Sequence, residues 1–187
     1  MEEKICLRPM GKVDADVLEW IARGIEREFS LPAQGLDAVE VPMRAFSEKR
    51  QQYYSTAFLQ ELMRTIHDDA FRILGITDVD LFVPQLNFVF GEAAVDGRAG
   101  VISLYRLRPE FYGEIPDEEL FAERAVKEAV HELGHTFGLR HCSTPGCVMR
   151  FSTRIEDTDR KSVRFCADDA LKLAQKLHLP DAVVASV

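Results

Sequence analysis

The chain has 187 residues, 47% of them hydrophobic and 29% charged, a balance typical of a folded globular protein rather than a disordered one. This length suits one core, so we expect a single domain that spans residues 1–187. Acidic residues outnumber basic residues by 31 to 23, and the resulting net charge of −8 disfavours nucleic acid as a partner.

The N-terminal residues favour a cytoplasmic protein that has no membrane partner. The opening stretch MEEKICLRPMGKVDADVLEW begins with two acidic residues and lacks the apolar core of a signal peptide. No later run reaches the roughly 18 apolar residues that a membrane-spanning helix needs. In a reducing compartment, the three cysteines between residues 142 and 166 are better explained as thiols or metal ligands than as disulfides. We also expect a monomer.

The first part of the chain predicts alternating strands and helices, which is an α/β-like pattern. Apolar residues at helical spacing end before a proline, and Asp14 or Asp16 could cap the first helix. Cys6 is expected to be a buried thiol on the first strand. In chain order, the predicted elements are a strand at residues 4–7, a helix at 14–32, an extended run at 37–41 and a helix at 56–74.

The later part of the chain predicts most of the sheet and the longest helix. Val, Phe, Ile and Tyr are enriched over residues 79–107, where Asp96 and Gly97 form a turn between two strands. Residues 117–138 repeat apolar positions about four apart and carry acids in the first turn, where the helix dipole favours them. Residues 166–179 predict a C-terminal helix, so the fold class is α+β.

The segment HELGHTFGLRH at residues 131–141 holds three of the five histidines. His131 and His135 are four residues apart, so on a helix they lie on one face and can bind one ion. Gly138 can adopt the left-handed conformation that ends a helix, which allows His141 to approach the same ion. Three imidazoles leave the fourth position of a tetrahedral Zn²⁺ open for water, and Glu132 could accept a proton from that water.

The competing explanation for this segment is a set of ordinary histidines on an amphipathic helix, with Gly138 as a simple C-cap. A chance HExxH motif has odds on the order of one in a hundred in a chain of this composition, and the added GxxH lowers them. The sequence therefore favours the metal site. Met149 could lie in the tight turn that metzincins place beneath the metal, although a lone Met is more often only core.

The motif resembles that of the archaemetzincins, small metzincin-type zinc peptidases whose pattern is HExxHxxGxxHC, followed by CxM and a later CxxC. Residues 77–93 and 100–107 also resemble sheet segments of that family. The matching motif residues are His131, Glu132, His135, Gly138, His141, Cys142, Cys147, Met149 and Cys166.

The resemblance implies a compact zincin-like fold with a twisted mixed sheet, an antiparallel edge strand, a long active-site helix and a C-terminal helix. It also implies a catalytic zinc on three histidines, a second zinc on four cysteines, and a peptide or protein substrate bound as an added strand. We assign the edge that receives this strand to residues 99–105. Two Zn²⁺ per chain are therefore expected.

The chain departs from the family pattern at its last expected cysteine, because Asp169 occupies that position. Zinc also accepts carboxylate oxygen, and Cys166 and Asp169 at i, i+3 in a first helical turn would face the same side. A second zinc held by three cysteines and Asp169 is therefore the first choice. His178, Cys6 or a water could take the place of Asp169, and a local disulfide or two free thiols could explain Cys142 and Cys147.

The function implied by these residues is a zinc-dependent metallopeptidase with Glu132 as general base. Tyr105, Tyr112 and Arg106 are candidates, by position only, for stabilising the oxyanion. One alternative is a zinc-bearing peptide-recognition or scaffold protein with little or no turnover. Another is a metal-dependent nuclease, because some bacterial endoribonucleases share the spacing HxxxHxxxxxH, although Glu132 and the acidic charge disfavour it.

Overall fold

The structure is a computed structural model that describes residues 3–66 and 70–178. Among those residues, no helix has the length and apolar character needed to cross a membrane. Two short 3₁₀ helices, Met43–Ala45 and Pro109–Tyr112, accompany the main elements. The strands are β1 (Ile5–Met10), β2 (Ala33–Gly35), β3 (Phe46–Ser47), β4 (Gln52–Tyr54), β5 (Arg72–Thr77), β6 (Leu81–Phe82), β7 (Gly91–Ala93) and β8 (Ala99–Ser103). The helices are α1 (Ala15–Phe29), α2 (Ser55–Thr65), α3 (Glu118–Thr136), α4 (Ile155–Arg160) and α5 (Ala167–Lys176).

The main sheet has five strands in the order β2-β1-β5-β8-β7. The first four are parallel, and β7 runs antiparallel to β8. All six residues of β1 are buried, which is typical of a parallel strand covered on both faces. The α+β class and the mixed sheet with an antiparallel edge strand are therefore confirmed.

Helices cover both faces of this sheet. Successive strand residues point to opposite sides, so β1 contributes side chains to a core on each face. Ile5 and Leu7 of β1 pack in one core with α1 and α3. Cys6, which is 3% exposed, packs in the other core with Phe58 and Leu62 of α2, so the prediction of a buried strand thiol is confirmed. The site-bearing helix α3 therefore packs against one face of this sheet.

The edge strand differs from the prediction. Residues 99–105 were expected to form the edge, but β8 lies between β5 and β7, and all five of its residues are buried. The uninterrupted apolar run of β8 is typical of an interior strand. The edge beside α3 is instead β7, whose Gly91 pairs with Ile102 of β8. The predicted turn does join these two strands, since Gly97 N–H donates to the carbonyl of Ala94 at 2.9 Å.

Three other predictions need correction in the first part of the chain. The helix expected over residues 56–74 ends at Thr65, and Arg72 already begins β5; residues 67–69 lie outside the described residues. Short apolar runs such as the one in β5 fit a helix or a strand equally well by periodicity. The run at 37–41 contributes a single bridge, from Val39 to Met10, while β2 precedes it. Three of the five main strands also precede the region expected to hold most of the sheet.

The helices near the motif follow the predictions closely. The Asp117 carboxylate caps α3 by accepting a hydrogen bond from Leu120 N–H at 2.9 Å, as acidic N-caps do. Asp14 is the N-cap of α1 but its side chain makes no capping hydrogen bond. Cys166 is the N-cap of α5, and Leu179, the last residue of the predicted helix, lies outside the described residues.

Candidate metal centre

Three histidines converge at the C-terminal end of α3. His131 and His135 occupy its last turns, one above the other, as the four-residue spacing requires. Gly138 has a φ of +88° and turns the chain so that His141 reaches the same place. The Nε2 atom of His135 lies 3.2 Å from that of His131 and 3.2 Å from that of His141. The sequence therefore located all three candidate ligands of one ion.

The hydrogen bonds of the rings show that the donor set suits a cation. The Nδ1 atom of His131 lies 2.7 Å from the carbonyl oxygen of Val148, and that of His135 lies 2.8 Å from the carbonyl oxygen of Leu139. A carbonyl only accepts, so each Nδ1 carries the hydrogen and each Nε2 presents a lone pair. Lone pairs 3.2 Å apart repel unless a cation lies between them. Tetrahedral Zn–N bonds of about 2.0–2.1 Å separate the nitrogens by about 3.3 Å.

The surroundings of the three imidazoles shift their pKa values toward the neutral form, which is the form that binds a metal. Burial holds the pKa of His131 well below its usual value, and the positive charge of Lys161 acts in the same direction. Burial also lowers the pKa values of His135 and His141, with the backbone hydrogen bond from His135 to Leu139 opposing the shift for His135.

Glu132 is buried between α3 and the edge strand. A Cβ atom at Gly91 would come within 2.6 Å of both Cγ and Oε1 of Glu132, so the carboxylate packs directly against the backbone of β7. Burial raises the pKa of Glu132 well above its usual value, and the negative charges of Glu128 and Glu92 add to that shift. A raised pKa makes the Glu132 carboxylate a stronger base than an exposed glutamate.

Met149 lies under the histidines. Its side chain is fully buried, and a Cβ atom at Gly134 of α3 would come within 2.5 Å of its Sδ atom. The carbonyl of Met149 accepts a hydrogen bond from Cys142 N–H at 3.0 Å, and the carbonyl of Val148 is the one that orients His131. Met149 therefore packs against the part of α3 that carries His131 and His135.

A second group of candidate ligands lies behind His141. Their ligand atoms all fall within 4.8 Å of one another. The Sγ atoms of Cys142 and Cys166 are 3.8 Å apart, and Oδ2 of Asp169 lies 3.4 Å from Sγ of Cys147 and 3.5 Å from that of Cys166. Tetrahedral zinc with Zn–S bonds of about 2.3 Å would separate two sulfurs by about 3.8 Å. The members of this group are Cys142, Cys147, Cys166 and Asp169.

The geometry decides among the alternatives for these cysteines. A disulfide needs an S–S distance of about 2.05 Å, so Cys142, Cys147 and Cys166 are free thiols. Cys6, on β1, and His178, beyond α5, lie outside the group. Burial raises the pKa of Cys147 to about 12, and a nearby cation would be needed to hold it as a thiolate.

Asp169 divides its two carboxylate oxygens between different partners. Oδ2 faces the thiols, while Oδ1 accepts a hydrogen bond from the ammonium of Lys172 at 3.0 Å. Asp169 is 3% exposed although it is charged, so its position depends on these partners. Burial alone would raise the pKa of Asp169, but the hydrogen bonds from Lys172 and the thiols bring it below the usual value.

A cavity of about 780 Å³ opens beside the histidines. One wall is the chain from Leu86 to Ala93, which includes β7, and the opposite wall is formed by α3 and residues 151–153. Its lining also includes Glu128, Glu132 and all three histidines. The described residues that line this cavity do not include the three candidates for stabilising the oxyanion, Tyr105, Tyr112 and Arg106.

The sequence did not indicate that two charged residues near the site, Glu128 and Lys161, form an ion pair. Glu128, one turn before Glu132, forms an ion pair with Lys161 at 2.9 Å, and their side chains are 3% and 0% exposed. Thr158 Oγ1 donates to the same carboxylate at 3.0 Å. A helical pattern indicates which face Glu128 occupies, but nothing local connects it to a lysine 33 residues later.

Comparison with known proteins agrees with the motif. The model of peptidase family M54 matches residues 13–175. The chain belongs to peptidase family M54. It is 44% identical to the archaemetzincin of Pyrococcus furiosus over 183 residues, which are 95% of each protein, and 40% identical to that of Methanocaldococcus jannaschii over 173 residues, 92% of this chain and 94% of the relative.

Solved structures of M54-like proteins share the fold. The crystal structure of archaemetzincin from Methanopyrus kandleri matches with a TM-score of 0.84 and 37% identity, and the match covers 95% of this chain and 96% of that one. A zinc-dependent peptidase from Methanocorpusculum labreanum matches with a TM-score of 0.79 and 28% identity, over 90% and 99% of the two chains. The predicted family, metzincin-like fold and metallopeptidase class are confirmed, and the scaffold and nuclease alternatives are not favoured.

Proposed function

We propose that this M54 peptidase cleaves peptide bonds with Glu132 as the group that carries the proton and with His131, His135 and His141 as the ligands of a catalytic zinc. The observation that carries this proposal is the convergence of three Nε2 atoms, 3.2 Å apart in successive pairs, in the same cavity as a buried carboxylate. When bound, zinc supplies Lewis acidity that polarises the scissile carbonyl and acidifies water.

The reaction then depends on the protonation state of Glu132. Its carboxylate removes a proton from the attacking water and afterwards donates that proton to the amine that leaves. Contact with Gly91 holds the carboxyl group in one place, so a proton is accepted and returned at a fixed position. The hydrogen bonds from His131 and His135 to backbone carbonyls fix the ring orientations in which their Nε2 atoms would hold a zinc ion.

The substrate is a peptide that adds to the edge of β7. Within the described sheet, β7 pairs with β8 on one side, and its other side faces the cavity. An extended peptide can hydrogen-bond to such an edge by its main chain. Glu92 anchors the strand from behind, because its carboxylate accepts hydrogen bonds from Ser55 and Thr56 at the start of α2.

The second metal in this proposal is a structural zinc bound by Cys142, Cys147, Cys166 and Asp169. Four protein ligands are usual for structural zinc, and the observed separations suit tetrahedral bonds. Cys142 directly follows His141, so this zinc would fix the third histidine of the catalytic site. The total would be two Zn²⁺ per chain.

The test compares peptide hydrolysis by the zinc-loaded wild type and the Glu132→Gln variant. Loss of the proton carrier should lower kcat by a factor of about 10² to 10⁴ while metal content, measured by mass spectrometry, stays the same. Glu123→Gln is the matched control, because Glu123 lies on the same helix but outside the cavity lining. Unchanged hydrolysis by Glu132→Gln would exclude the proposed role.

A further inference from the structure

Arg140 is a basic residue in the cavity wall that the proposed mechanism does not use. It is the only lysine or arginine among the described residues that line the cavity. Arg140 is exposed, and its guanidinium makes no hydrogen bond or ion pair with any other part of the chain that the structure describes. The cavity therefore presents a guanidinium whose positive charge no described group neutralises.

The carboxylates that could neutralise Arg140 are already engaged. Glu92, in the same lining, accepts hydrogen bonds from two hydroxyl groups at the start of α2. Glu128, also in the lining, belongs to a buried ion pair of 2.9 Å. Asp96 lies close to the turn that follows α3, but it pairs with Lys176 at 2.8 Å. The third carboxylate of the lining is the one proposed as proton carrier, so an anion for Arg140 has to come from a ligand.

The backbone on both sides of Arg140 belongs to the histidine site. Leu139 precedes it, is 2% exposed, and accepts the hydrogen bond from Nδ1 of His135 at 2.8 Å through its carbonyl. His141, the third candidate ligand, follows it directly, so the Cα atoms of Arg140 and His141 are about 3.8 Å apart. The site thus fixes where the Arg140 side chain begins, beside the place where a substrate would meet the metal.

Much of the remaining exposed lining is apolar. Leu86, Val95 and Phe151 are 40%, 52% and 46% exposed, and all three line the cavity. The ring of Phe151 lies 4.6 Å from that of His141. Apolar walls reduce the water that competes for a charged group, so an ion pair formed in such a cavity is stronger than one on an open surface. A single guanidinium can therefore discriminate between substrates here.

We propose that Arg140 is a specificity-determining residue that binds a carboxylate of the peptide substrate. This inference rests on the proposed function, which places a peptide in the cavity. A guanidinium matches a carboxylate with two parallel N–H···O bonds, and a neutral amide cannot reproduce that pairing. The carboxylate belongs to an aspartate or glutamate side chain, or to the C-terminus of a short peptide. A basic side chain at the same place is disfavoured, because like charges repel.

The experiment measures binding to the zinc-loaded Glu132→Gln protein by calorimetry, so that the result does not depend on turnover. One series moves a single glutamate through a short uncharged peptide blocked at both ends, and a matched series carries glutamine instead. A further pair compares the uncharged peptide with a free C-terminal carboxylate and with a C-terminal amide. We expect a carboxylate to tighten binding by about fivefold in one of these comparisons, and the gain to decrease with salt. A gain in the glutamate series assigns the carboxylate to a side chain, and a gain in the pair assigns it to the C-terminus.

Substitutions of Arg140 in the same background test the assignment to this residue. Arg140→Gln should remove the preference, and Arg140→Glu should reverse it, so that the carboxylate peptide binds more weakly than its neutral partner. Arg140→Lys should keep part of the preference, because an ammonium carries the charge without the planar fork. Arg150→Gln is the control and should keep all of it, because Arg150 is also exposed but lies outside the cavity lining. All variants are compared at equal zinc content, measured by mass spectrometry.

Two outcomes would overturn the inference. One is equal binding of the charged and neutral peptides in every comparison. The other is a preference that survives Arg140→Gln, which would assign the carboxylate to the metal or to another group. Failure of the wild type to cleave any of these peptides would count against the proposed function alone, because the affinities are measured without cleavage.

Discussion

Gly91 of β7 and Glu132 of α3 are in direct contact, and there is no room for a Cβ atom between them. Such an atom would lie 2.6 Å from Oε1 of Glu132 and 2.7 Å from the carbonyl oxygen of Val101. The edge strand therefore fixes the position of the carboxylate that we propose as the proton carrier, and the glycine is required for close approach rather than for an unusual backbone angle.

The Gly91→Ala substitution should displace Glu132 and lower kcat by about tenfold or more, since small misplacements of catalytic groups are costly. Zinc content should stay the same, because none of the three histidines is touched. Gly100→Ala on the neighbouring strand is the control, because its Cβ would meet Glu132 Cβ at an ordinary 3.4 Å. Steady-state kinetics on one peptide checks both variants, and equal activity of Gly91→Ala and wild type would contradict the contact.

Met149→Ala should lower the free energy of unfolding by about 2–5 kcal/mol, because the fully buried side chain would leave a cavity under α3. Met149→Leu, which nearly conserves volume, should cost less than about 1.5 kcal/mol. Denaturant unfolding at fixed zinc concentration measures both values. Equal stability of Met149→Ala and Met149→Leu would show that the residue does not support the helix by packing.

Asp169→Ala should reduce bound zinc from two ions per chain to one. The three thiols that remain are fewer than the four protein ligands usual for structural zinc, so the ion should be lost on dialysis, whereas Asp169→Cys should keep both ions. Asp168→Ala is the control, because Asp168 precedes Asp169 on the same helix but is exposed and lies outside the cluster. Metal analysis of untagged, dialysed protein measures the zinc content, and two ions in Asp169→Ala would show that the site does not need Asp169.

Lys172→Met should speed the loss of the second zinc by severalfold without removing it at equilibrium. The ammonium of Lys172 binds Oδ1 of Asp169 at 3.0 Å and so keeps Oδ2 directed at the thiols. Release of zinc to a chromogenic chelator gives the rate. Lys176→Met provides the comparison, since Lys176 is also on α5 but pairs with Asp96 at 2.8 Å. Equal release from the two variants would exclude a role for Lys172.

The parts of the site that sequence predicted best are those fixed by local periodicity. His131 and His135 share a face because a helix repeats every 3.6 residues, and Gly138 is where the chain turns toward His141. The prediction that Cys142 and Cys166 share a metal site came from the family resemblance. The prediction that Asp169 is its fourth ligand came from the three-residue spacing between Cys166 and Asp169 in a first helical turn.

The parts that sequence missed depend on contacts between distant segments. The edge strand was placed at β8 because its apolar residues resemble any strand, and only pairing with both neighbours shows that it is interior. Likewise, the ion pair of Glu128 with Lys161 forms only when the segment after α4 packs on α3. Arg106 looked available near the site, but its guanidinium makes two hydrogen bonds of 2.7 Å to Asp80.

The most direct test of the account is diffraction at the zinc absorption edge from crystals of the zinc-loaded protein. We predict one anomalous peak about 2.0–2.1 Å from Nε2 of His131, His135 and His141, with no fourth side chain bound to that ion and Glu132 beside it but not coordinating. A peak whose coordination is completed by Glu132 or another side chain, or three rings that share no ion, would contradict the proposed hydrolytic site.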